Sequence, residues 1–144
     1  MEPSYTTLNK EEEENGAYAM QLIGSAMLPM VLKAAVELEV FEIIAKAGPS
    51  AQLSPFEIAS RLPDICNPGA PEMLDRMLRL LASNSILTCS ELSSDQLPPA
   101  AGQVGQRKLY GLAPVAKYFV SGQNGASLGP FLSMSMDKVF QDSW

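Results

Sequence analysis

The stretch Ala70–Leu92, APEMLDRMLRLLASNSILTCSEL, changes period along its length. Up to Leu81 the apolar residues Met73, Leu74, Met77, Leu78 and Leu81 recur every three or four positions, with Glu72, Asp75, Arg76 and Arg79 elsewhere. That spacing predicts an amphipathic helix entered through Pro71, whose absent N–H does no harm in a first turn. From Ile86 the residues become β-prone, and ILTCSEL predicts a short strand. RKLYGL, residues 107–112, reads the same way. The Pro-, Gly- and Gln-rich SSDQLPPAAGQVGQ between them predicts a long loop closing a hairpin.

Toward the N-terminus, SPFEIASRL begins with Ser54 as N-cap, Pro55 in the first helical position and Glu57 three residues after the cap, which is a capping box. Before it, VFEIIAKA predicts a helix that stops at Gly48 and Pro49. Residues 16–38 predict a longer helix, apolar nearly all round in its first half and therefore covered on several sides. Pro29 is expected to kink it. Residues 1–15, with Glu11–Glu14 in one run, predict a disordered acidic arm. On the other side of the hairpin, PVAKYFV predicts a short helix, SGQNGAS a joint, and SLGPFLSMSMDKVFQDSW a terminal helix.

The fold class is therefore mainly α. The order helix, helix, helix, strand, loop, strand predicts a winged-helix-like domain over residues 16–120, with a long helical arm in front. Residues 121–144 form a joint and a linker helix.

Composition excludes several functions. A net charge of −6 opposes a nucleic-acid partner, and the third helix and the wing, with Arg107 and Lys108 beside Asp95, offer both signs. The chain has no histidine, which removes His-based acid–base catalysis and metal ligation within it. No catalytic and no metal-binding residue is expected. Cys66 and Cys89 read as two buried thiols. Glu37, Glu39 and Glu42 form a polar helix face rather than a carboxylate pair, and no glycine-rich turn opens a helix after a strand. The charge-free run Ala17–Leu32 is interrupted by Gln21, Gly24 and Pro29 and falls short of a bilayer span, so no membrane partner is expected. The acidic start lacks the features of a secretory leader, and the chain is expected in the cytoplasm.

Two surfaces remain. Met20, Met27 and Met30 lie on a helix too apolar to be solvated, which points to a subunit interface, whereas Met73 and Met77 read as core. On the terminal helix Leu128, Phe131, Leu132, Met136, Val139 and Phe140 share one face, with Ser135 inside it and Met134 on the other side with Asp137. The Ser135 hydroxyl has two readings open: a bond to its own backbone, or to a ligand oxygen.

The segments AMQLIGSAMLPMVLKAAVELEVFEIIAKAG, LSPFEIASRLP, APEMLDRMLRLLASNSILTCS, RKLYGLAPVAKYFV and MDKVFQDSW together resemble the N-terminal region of plant caffeic acid O-methyltransferases and related phenolic O-methyltransferases. The resemblance covers residues 12–144. It implies a dimerisation domain followed by a Rossmann-type domain that binds S-adenosylmethionine and carries a catalytic His. Neither that His nor a cofactor loop stands in this sequence, so the chain alone is expected to bind no cofactor and to be inactive. The resemblance also implies that Met134 and Ser135 contact a small phenolic substrate and that Phe140 walls its site. Ser135 stands where the caffeate-type pattern has Asn. Met20, Gly24, Ser25, Met27, Leu28 and Val31 would form the dimer interface and border the partner's pocket. Two roles stay open: part of such an enzyme, as a homodimer, or a non-catalytic module pairing with itself or a related methyltransferase.

Overall fold

The computed structural model describes residues 5–63, 66–93, 108–122 and 126–143. Helices α1 (Tyr5–Gly24), α2 (Met27–Glu37), α3 (Val40–Ala47), α4 (Pro55–Ser60) and α5 (Ala70–Ser83) precede strands β1 (Leu87–Glu91) and β2 (Lys108–Leu112). A 3-10 helix, Pro114–Phe119, and two short helices, α6 (Gly129–Ser135) and α7 (Lys138–Gln141), follow. The domain is mainly α with one antiparallel hairpin, whose register runs from Leu87 opposite Leu112 to Glu91 opposite Lys108. The expected loop tip, with Asp95 and Arg107, lies outside the described residues, as do the first four residues, the middle of the joint and Trp144.

The core lies where α2, α3, α4 and α5 meet the hairpin, around Phe41, Ile44, Ile58, Leu78, Leu81 and Tyr110. Local chemistry sets each boundary. At α4 the Glu57 N–H donates to Ser54 Oγ at 3.2 Å and the Ser54 N–H donates to Glu57 Oε2 at 2.8 Å, so the capping box is complete. The end of α5 is a Schellman turn: the Ile86 N–H donates to Leu81 O and the Ser85 N–H to Ala82 O, each at 3.0 Å. Ser85 occupies the left-handed position of that turn, with φ of 59°. Its geometry delivers Ile86 and Leu87 into the core as the chain turns into β1.

Gly111 permits a third backbone to join the hairpin. Leu53 and Tyr110 exchange both backbone hydrogen bonds, at 2.9 and 2.8 Å. A Cβ at position 111 would stand 2.8 Å from Thr88 Oγ1 and 3.0 Å from the Ala51 carbonyl oxygen.

Several expectations are corrected. Residues 5–15 are helical rather than a disordered acidic arm. The glutamates are good helix formers, and Lys10 pairs with Glu14 one turn on at 4.0 Å. The long second segment is broken rather than kinked at Pro29, with α1 ending at Gly24 and α2 starting at Met27. The ring of a proline clashes with the carbonyl four residues earlier, here Ser25, so the interruption falls upstream of Pro29 itself. The terminal helix is split because the Asp137 carboxylate accepts the Val139 N–H at 2.8 Å and caps a new helix. Both cysteines are exposed free thiols, not buried ones. Within α5, Met73 points to solvent while Asp75 is buried, the reverse of the apolar-periodicity reading.

Candidate functional site

Two apolar surfaces are left uncovered by the chain's own fold. The first follows α1 and α2. Met20, Ile23, Met27 and Met30 leave 68%, 70%, 60% and 60% of their surface bare, and apolar residues exposed together in this way mark an interaction surface. Tyr18 and Leu22 extend the strip. Among the residues expected at an interface, Met20, Ser25 and Met27 are exposed and Gly24 is half-buried. Leu28 and Val31 instead lean inward and pack against the chain's own core. The stretch Asn9–Glu37 is also long and apolar enough, by length and composition, to cross a bilayer.

The second surface is carried by α6 and α7, where Leu128, Phe131, Met134, Val139 and Phe140 are exposed. Three features hold α6 in place. The Leu128 N–H donates to Tyr118 O at 2.8 Å, closing the joint back on the 3-10 helix. The Ser121 N–H donates to Glu42 Oε1 on α3 at 3.2 Å. Gly129, buried, lies directly on Val36 of α2.

Of the three expected substrate contacts, Met134 and Ser135 share α6, whereas Phe140 sits on α7 beyond the break. Met134 is exposed. The Ser135 hydroxyl is half-buried and donates to Leu132 O at 2.9 Å, so its proton is engaged by its own helix and its lone pairs remain acceptors. Splitting the helix at Asp137 turns Val139 and Phe140 away from the register that a continuous helix would give them.

Sequence reasoning missed a buried polar cluster beneath the hairpin. The Tyr110 hydroxyl donates to Asp75 Oδ1 and Arg79 Nε donates to Asp75 Oδ2, each at 2.7 Å. Burial first, and then this hydrogen bond, push the Tyr110 phenol well above its ordinary range. The hydrogen bond that Arg79 donates to Asp75 also holds its guanidinium more firmly in the charged form. Asp75 Oδ2 faces the half-exposed Arg79, and Oδ1 is closed off behind Tyr110. Through these bonds the cluster ties α5 to β2. Asp75 gives no sign of this in the sequence, since it stands among Glu72, Arg76 and Arg79 off the apolar spacing of α5. Glu42, expected on a polar helix face, fastens the joint through Oε1, and its Oε2 is buried without a partner among the described residues.

Among the described residues no three Cys, Asp or Glu side chains gather as metal ligands. A nucleotide-type cofactor such as S-adenosylmethionine needs a glycine turn between a strand and a helix. Among the described residues neither strand runs through a glycine turn into an α-helix, β2 leading instead into the 3-10 helix, so these residues do not fit that group.

An all-helical platform with a small hairpin and a bare apolar arm defines a module built for association. Residues 20–122 match the O-methyltransferase dimerisation domain, and the chain belongs to that family. The caffeic acid 3-O-methyltransferase of Medicago sativa is 51% identical over 143 residues, which is 99% of this chain and 37% of that protein. The esculetin O-methyltransferase of Kitagawia praeruptora is 47% identical over 142 residues, again 99% and 37%. The chain thus spans little more than a third of the length of these curated relatives. Human N-acetylserotonin methyltransferase, solved in complex with SAM, shares the fold with a TM-score of 0.59 at 17% identity, over 97% of this chain and 33% of that one.

Proposed function

We propose that the chain dimerises through the bare face of α1 and α2 and presents α6 as one wall of the substrate site of a cytoplasmic, S-adenosylmethionine-dependent phenolic O-methyltransferase. The carrying observation is the uncovered strip Met20, Ile23, Met27 and Met30 on a chain of the O-methyltransferase dimerisation family. Water is the wrong neighbour for such a strip, and a second copy of the same strip removes it. The arrangement is winged-helix-like. Homodimer formation is the primary reading, and a related methyltransferase chain would use the same face. Relatives named for caffeic acid and esculetin support a small phenol as the substrate class. Met134 offers a polarizable contact for an aromatic ring and Phe140 an apolar wall. The methyl donor would be held outside the residues described here, and this chain alone is expected to bind none.

The test is light scattering on the chain and on Met27→Glu/Met30→Glu, which leaves its own core intact because both side chains point outward. Burying each methionine contributes about 1.5–3 kcal/mol, so two glutamates should yield a folded monomer. A variant of unchanged dimer mass would refute the interface. Flotation of the unaltered chain with neutral vesicles, in place of dimerisation, would refute it in favour of a membrane-bound arm.

A further inference from the structure

We propose that Gly129, seated on Val36 and assisted by Glu42, is a positioning residue that fixes the substrate-wall helix α6 to the dimer helix α2. The inference rests on the reading of α6 as a substrate wall, and its structural half is tested without that reading.

Helix α6 has only seven residues, too few for its internal hydrogen bonds to hold it in water, so its place depends on what it touches. Its first residue, Gly129, is buried against Val36. A Cβ on Gly129 would lie 2.9 Å from Val36 Cγ1 and 3.2 Å from Ser127 Oγ. Val36 cannot step aside, since a β-branched side chain has one strongly preferred rotamer in a helix. Any side chain at 129 must therefore lift α6 off α2. The Gly129 N–H also donates to Ser127 Oγ at 3.1 Å, which sets the angle at which the joint enters the helix. Glu42 restrains the other end of the joint through Ser121.

The consequence lies in what α2 and α6 carry. Met134 and Ser135 stand five and six residues beyond Gly129, about 8–9 Å along the axis, so a tilt at the seat is carried to both. Val36 lies on the same unbroken helix as Met27 and Met30. One helix thus bears the face offered to the partner and the seat of the substrate wall. The distance from the twofold interface to Met134 is set by α2 rather than by the joint.

Hydrogen exchange on the dimeric 144-residue chain reads this directly. Gly129→Ala is expected to speed exchange of the Leu132 and Met136 amides about ten-fold, since they bond to Leu128 O and Leu132 O within α6. The dimer mass and the protection of the Tyr110 amide should stay as they are. Val36→Ala in the same chain should restore α6 by vacating the space. Unchanged exchange in Gly129→Ala, or loss that Val36→Ala fails to restore, overturns the proposal. Glu42→Ala, which adds no bulk, provides an independent variant and should loosen the Ser121 amide together with α6; loosening of neither overturns Glu42's part. In a methyltransferase made by joining this chain to a matching catalytic domain, Gly129→Ala should raise the phenol KM and leave that of the methyl donor alone, with the same rescue. If phenols are not methylated by any variant, the substrate-wall reading fails while the exchange result still decides the seat.

Discussion

Replacing Tyr110 by Phe removes one oxygen and little else, which makes it a clean probe of the buried cluster. Tyr110 is 0% exposed and Asp75 2% exposed, so no solvent can take over the hydrogen bond that Asp75 Oδ1 loses. A hydrogen bond to a charged group contributes about 1.5–3 kcal/mol, and leaving a buried carboxylate oxygen without its donor keeps the loss near the upper end. Tyr110→Phe is expected to lower the unfolding free energy by about 2–3 kcal/mol in urea, at fixed protein concentration because association feeds into stability. Arg79 is half-exposed, so solvent screens its pairing with Asp75, and Arg79→Ala should be the milder change. A double-mutant cycle of Tyr110→Phe with Asp75→Ala isolates the pair, and a coupling indistinguishable from zero would refute the tie between α5 and β2. The cluster also predicts alkaline behaviour. Because folding raises the Tyr110 pKa, its stabilisation is complete below the unfolded value near ~10 and is lost as pH rises toward the higher folded value. Tyr110→Phe should remove that part of the alkaline limb.

Two substitutions test the turns. Ser85→Gly should stabilise the chain by about 1 kcal/mol, seen as a higher Tm, because a residue with a Cβ is held at φ of 59° in the Schellman turn. Gly111→Ala should destabilise by about 1–3 kcal/mol, and Thr88→Ala should recover only part of it, since the Ala51 carbonyl still blocks the new methyl group.

Features written in contiguous residues were legible. The Ser54–Glu57 capping box, the two strands and the stop at Gly48 each follow from a few neighbouring side chains, and each is present. Features that need a distant partner were not. Asp75 looks like a solvated helix residue until Tyr110, 35 positions away, closes over it. Met73 fits the apolar spacing of α5 but lies in its first turn, where none of the described elements covers it. The displaced break before Pro29 was legible in principle, because the clash acts on the carbonyl of Ser25. The split at Asp137 was legible too, as an aspartate able to cap a helix inside a supposed one. The exposed methionines of α1 and α2 stood out because apolarity without a local purpose is visible in one dimension. The fastening of α6 did not, because Gly129 means nothing until Val36 lies against it.

The bare arm precedes the core along the chain, and a ribosome therefore releases it first. During synthesis its methionines and isoleucine are in water before Phe41, Leu78 or Tyr110 exist to form a core, and even the finished core leaves them uncovered. The glutamate run Glu11–Glu14 lies immediately ahead of that apolar stretch on the same helix, where charge repels other nascent chains and discourages premature sticking. Four glutamates in that place match the way charged residues flank an unavoidable apolar stretch, and replacing them with alanine is expected to lower the soluble yield of the chain.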